Sequence, residues 1–189
     1  MRNLILKGII LRQPTIDELK KGSDYLEFHV RMYLETYNEL ISEEEVKGWN
    51  TKHNCFLESH LLHTRILIEF FISTPESKKW PTDLIAADYI SDWNEKYLDK
   101  IDIDKNFFKE IKDVIGGYQL HLTSKFVPYL ISQNEWKISK IYEILHPIIL
   151  KFLDCIPQEK VDPISHNEAK QILDNIIFWD DDFSDTFST

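Results

Sequence analysis

Apolar side chains recur at helical spacing along most of this chain. Over about 15–41, Leu19, Leu26, Val30, Tyr33, Leu34, Tyr37 and Leu40 fall on one face, with Gly22 as a local weak point. A second run covers about 53–73. Short helical pieces are expected over 82–99, turning Leu84, Tyr89 and Trp93 inward. A third helix starts near Asp104, carries Phe107, Phe108, Ile111, Val114 and Ile115, and is ended or thinned by Gly116-Gly117. A fourth spans about 134–155 and should divide near Pro147, whose ring clashes with the preceding turn. A fifth spans about 165–178. Thr15–Glu18, Ser42–Glu45, Ser132–Glu135 and Ser165–Glu168 have capping-box spacing, and Thr15 and Ser165 each open an apolar run. Strand signals are weak, with one short extended segment possible at 3–11, and no repeat is visible. The pattern predicts an all-α bundle of five to seven helices around a buried central helix at about 53–73.

That central helix is the most informative stretch. At about 100° per residue, Glu58, Arg65 and Glu69 fall on one narrow line, while Leu57, Leu61, Ile66, Leu67, Ile68, Phe70 and Phe71 occupy most of the rest. A helix apolar nearly all round sits inside its domain, so the charged line is either its one solvent strip or a buried polar seam. Of 22 basic residues only four are Arg, so an Arg here suggests a use for the guanidinium fork. The line reads first as a structural ion network between helices, with a functional site as the alternative. His60 and His63 lie on the opposite, apolar side, where a hydrogen-bonded core histidine is the plain reading and His63 also stands as a binding candidate. If the third helix continues through its glycines, His121 turns onto the core-facing stripe with Lys125 a turn later. Glu58, Arg65 and His121 would then share one polar cluster.

Composition narrows the class. The chain has 189 residues and a net charge of −10, which argues against a protein that coats nucleic acid. Half of that charge comes from Asp174, Asp180, Asp181, Asp182 and Asp185, so residues 1–179 read as one helical domain and 180–189 as an acidic, flexible tail whose Phe183 and Phe187 could dock on a partner. Two cysteines exclude a disulfide scaffold. No apolar run approaches membrane-spanning length, and a cytoplasmic protein with free thiols and no membrane partner is expected.

Catalytic and cofactor motifs are incomplete. There is no Gly-x-Gly-x-x-Gly or phosphate-binding loop. Glu143-x-x-His146 matches half of one pair in a carboxylate-bridged di-iron bundle, without the other members. Cys55 lies near His53, His60 and His63 but lacks a second ligand pair, and reads as a small buried hydrophobe. No metal or cofactor is expected.

The helix Asn54-Cys-Phe-Leu-Glu-Ser-His-Leu-Leu-His-Thr-Arg-Ile-Leu-Ile-Glu-Phe-Phe71 resembles one found in small uncharacterised bacterial all-α proteins. His121-Leu122-Thr123, between Trp93 and Trp136, is similar to a His-Leu-Thr segment of the same group. The match spans about 55–136, and the group is broadly HEPN-like. That resemblance implies a helical bundle and, in many such proteins, a ribonuclease of a toxin or phage-defence system with an Arg-x(4–6)-His motif. Here no Arg has a His at that spacing, and Lys125 stands where the group usually has Arg. Two functions follow as expectations. The first is a non-catalytic module that binds a protein partner or a second copy of itself. The second is a metal-independent ribonuclease acting on RNA, with Arg65 and His121 as candidate catalytic residues and Glu58, His63, Glu69 and Lys125 as binding residues.

Overall fold

The Thr15–Glu18 box opens the first long helix as its spacing implies. Glu18 accepts from the Thr15 amide at 2.8 Å, and Thr15 Oγ1 accepts from the Glu18 amide at 3.3 Å. The computed structural model describes residues 5–6, 9–10, 12–42, 50–98, 105–118 and 137–184. Helix α1 is Ile16–Ser42 and α2 is Thr51–Ile72. Helix α2 is capped by Asn50, whose side chain accepts from the His53 amide at 3.1 Å. A single turn, α3 (Ala86–Tyr89), and a π-helical turn, Asn94–Leu98, lead to α4 (Lys105–Tyr118). Helices α5 (Ile138–Cys155) and α6 (Pro163–Ser184) complete the described order. The extended segment at 3–11 contains a two-strand antiparallel pair, β1 (Ile5–Leu6) and β2 (Ile9–Ile10), with Ile5 opposite Ile10. The chain is an all-α helical bundle.

Three boundaries differ from the pattern reading. Pro147 does not divide α5. It is exposed on the outer side, while Ile141, Leu145, Ile148, Ile149 and Phe152 stay buried and hold the helix across the missing bond. Ser165 does not cap α6. Asp162 does, accepting from the Ile164 and Ser165 amides at 2.9 and 3.2 Å, with Pro163 at the first helical position. Ser165 and Glu168 tie α6 to α1 instead, through Asp24 at 2.7 Å and Arg31 at 3.0 Å. Helix α6 also runs to Ser184, six residues past its anticipated end, and residues 185–189 lie outside the described residues. The Ser132–Glu135 box lies outside them too, and Ser42 is the last residue of α1, with Glu43 to Glu45 outside the described residues.

Helix α2 is the hub. It packs against α1, α3, α4 and α5. His60, Leu61, His63, Thr64, Leu67, Ile68 and Phe71 are buried, while its first turns meet solvent, so Cys55 is exposed rather than buried as its type suggests, and Glu58 is exposed with it. The C-terminal end of α2 is closed by aromatic edges. Phe71, Trp93 and Phe152 meet within 6.0 Å between ring centres, and Trp93 Nε1 donates to the Phe71 carbonyl at 2.9 Å. As read from the pattern, Tyr89 and Trp93 point inward, whereas Leu84 is half-buried against Gly22. Among the described residues, no helix is long and apolar enough to cross a membrane.

Candidate functional site

Helices α1 and α2 run antiparallel, because the α2 residue number rises from His60 to His63 as its α1 partner falls from Tyr33 to His29. Their seam holds three histidines. His60 is fully buried, stacked on Tyr33 with ring centres 4.9 Å apart, and its Nδ1 donates to the Tyr33 carbonyl at 3.1 Å. Burial drives its pKa down to about 4, with the Tyr33 bond opposing and His63 adding to the fall. His63 meets His29 Nδ1 to Nδ1 at 2.8 Å. One ring donates and the other accepts, so the two neutral rings carry opposite tautomers at this contact. Burial, helped by His29, brings His63 to about 4, and burial also lowers His29. Phe28 sets its edge against both rings at 5.4 and 5.5 Å. Burial lowers all three rings, so the seam holds neutral imidazoles at neutral pH.

The charged line of α2 sits on the other side of the helix. Arg65 Nε donates to Glu69 at 3.4 Å across one helical turn, with 26% of the Arg65 side chain exposed. The guanidinium lies on α4. A Cβ at Gly116 would come 3.1 Å from Arg65 Nη1 and 3.5 Å from Cζ. Nη1 is buried and has no partner among the described residues. Glu58 is exposed, and among the described residues no hydrogen bond or ion pair joins it to Arg65, so Glu69 is the carboxylate that holds this arginine. Gly116 therefore thins α4 without ending it, and the space it leaves seats the guanidinium.

Glu69 also faces a cleft of about 590 Å³ between α1, the C-terminal half of α2 and the 73–85 loop. His29 reaches the cleft from α1 and Lys112 from α4. Tyr25 and Trp80, 71% and 61% exposed, also line it.

Of the residues singled out in the sequence, Arg65 and Glu69 are brought together, His63 sits in the histidine seam and Glu58 faces solvent. His121 and Lys125 lie outside the described residues, and of the expected Glu58, Arg65 and His121 set the described residues show Arg65 paired with Glu69 and not with Glu58. His29, the partner of His63, was not singled out. It borders the apolar stripe of α1, but only the antiparallel register of the two helices pairs it with position 63. The half di-iron motif is unassembled: Glu143 is exposed and His146 stacks on Tyr142 at 4.8 Å. Among the described residues no three His, Cys, Asp or Glu side chains converge on a metal-sized point. No protein-family model, curated protein or solved structure matches the chain.

Proposed function

We propose that this chain is a non-catalytic cytoplasmic helical protein that works through protein–protein contact, with another protein or with a second copy of itself. The observation that carries the reading is Phe28, 47% exposed although its ring is pinned against His29 and His63. Leu62 is exposed next to His63 on the facing helix. An aromatic ring already fixed in place has little side-chain entropy left to lose on docking, which is the property of an interface anchor. Light scattering after size exclusion, together with cross-linking in lysate, tests it. Phe28→Ser with Leu62→Ser should abolish the self-association or the capture seen with wild type. A wild-type chain that remains monomeric and cross-links to nothing overturns the reading.

A HEPN-like metal-independent ribonuclease, of the toxin or phage-defence kind, is the second reading. It is favoured by Arg65, whose buried Nη1 has no partner among the described residues and which lies against α4 shortly before His121. An arginine with a free donor can stabilise developing phosphate charge, with His121 as acid or base. Incubation with total RNA tests it, and intact RNA at micromolar protein excludes it.

A further inference from the structure

We infer that the cleft between α1, the C-terminal half of α2 and the 73–85 loop binds a planar aromatic anion, with the ring held between Tyr25 and Trp80 and the anionic group on Lys79 and Lys112. Charge accounting around the cleft supports an anion. Lys78, Lys79, Lys112, Glu69 and Asp83 line it. Lys78 is spoken for, since Nζ donates to both Asp88 oxygens at 2.9 and 2.7 Å and its side chain is only 4% exposed. Glu69 is spoken for by Arg65. Asp83 accepts from the Trp80 amide at 2.8 Å, which fixes the loop but leaves its charge. Lys79 and Lys112 have no ion pair among the described residues, so the cleft carries a surplus positive charge in a chain of net charge −10.

The aromatic half of the ligand follows from the lips and the floor. Tyr25 stands on α1 and Trp80 on the loop, and both expose most of their surface at one opening. Exposed ring faces beside unpaired lysines favour a stacked planar group with an attached anion. The floor is apolar, formed by Leu26, Ile66, Leu67 and Phe70. A volume of about 590 Å³ suits a small molecule rather than a protein segment. The anionic group could be the phosphate of a nucleotide or the carboxylate of an aromatic acid, since both present oxygen acceptors to lysine.

Titration calorimetry on the full chain separates these sources and tests the site. The probes are adenosine 5′-monophosphate and indole-3-acetate, with adenosine and inorganic phosphate as half-ligands. At least one aromatic anion should bind, with both half-ligands weaker by about tenfold or more. Trp80→Ala, and separately Lys79→Gln with Lys112→Gln, should each weaken binding about tenfold, with melting temperatures unchanged because Trp80 and Lys79 are exposed and Lys112 is half-buried without a partner. Tighter binding of the monophosphate assigns a nucleotide, and tighter binding of indole-3-acetate assigns an aromatic carboxylate. The inference falls if neither anion binds at millimolar concentration, if adenosine binds as tightly as its monophosphate, or if both variants bind like wild type. Phe28 and Leu62 do not line the cleft, so such a failure leaves the protein-contact reading standing.

Discussion

His29 and His63 meet nitrogen to nitrogen at 2.8 Å across the α1–α2 seam, one helical turn from the buried His60. Both His60 and His63 have folded-state pKa values near 4, below the ordinary 6.5 of an exposed histidine. A base whose pKa is depressed by folding binds fewer protons in the native state than in the unfolded one. Its contribution to stability is therefore complete above about pH 6.5 and is lost as pH falls from there toward 4. For His60 the expected loss across that window is roughly 3 kcal/mol. Carboxylates titrate in the same range, so the informative quantity is a difference. Urea unfolding at pH 7, 5.5 and 4 should show wild type losing more stability than His60→Phe. Parallel profiles would mean that His60 is not held neutral by the seam.

On the opposite side of α2, Arg65→Lys tests what the guanidinium does. The lysine keeps a positive charge near Glu69 but cannot lie flat in the space above Gly116. The ion pair is part-exposed and spans one turn, so it contributes only about 0.3–0.5 kcal/mol. The structural reading expects a loss of less than about 1 kcal/mol for Arg65→Lys and somewhat more for Arg65→Ala, which also removes the packed stem. Chemical denaturation measures both. A loss above about 3 kcal/mol for Arg65→Lys would reveal a partner beyond Glu69.

Leu67 and Leu62 give a direct test of the hub. Leu67 is fully buried and Leu62 is exposed on the same helix. Leu67→Ala should cost about 2–5 kcal/mol, and Leu62→Ala less than about 0.5 kcal/mol. Amide exchange over 60–71 should be among the slowest in the protein. Equal costs for the two substitutions would remove α2 from the centre of the bundle.

The fold was legible wherever one helix face decides burial. Leu19, Val30, Tyr33 and Leu34 on α1, and Leu61, Leu67, Ile68 and Phe71 on α2, are buried as their spacing implies. Local chemistry was less certain where two signals compete. Ser165–Glu168 has the spacing of a helix start, yet Asp162 caps the helix, because Ser165 and Glu168 are drawn to Asp24 and Arg31. Pro147 carries the local signal of a break, and that signal does not register the buried side of α5 that holds the helix together. The site was legible only within one helix. Arg65 and Glu69 share a turn, so their pairing could be read, whereas His29 with His63 depends on the register of two helices distant in sequence. No local pattern encodes that register.

Gly22 and Gly116 should respond oppositely to the same substitution. Each gains up to about 1 kcal/mol of helix propensity on replacement by alanine. At Gly116 the new methyl would sit 3.1 Å from Arg65 Nη1, the far end of a flexible side chain that can swing toward solvent. Gly116→Ala should therefore be neutral or slightly stabilising. At Gly22 the methyl would overlap Leu84 Cδ1 and come 2.6 Å from the Tyr89 hydroxyl. Tyr89 cannot step aside: it is 1% exposed, and its hydroxyl donates to the Leu19 carbonyl at 2.9 Å. Inserting a methyl into such a contact costs about 1–3 kcal/mol, which exceeds the propensity gain, so Gly22→Ala should destabilise the fold. Tyr89→Phe removes the hydroxyl that the methyl approaches, and in its background the Gly22→Ala cost should shrink, leaving only the Leu84 overlap. Urea midpoints at constant slope give all four corners of that cycle. If Gly22→Ala matches or exceeds wild type, the α3 turn does not close on α1 in solution, and one wall of the aromatic-anion cleft goes with it.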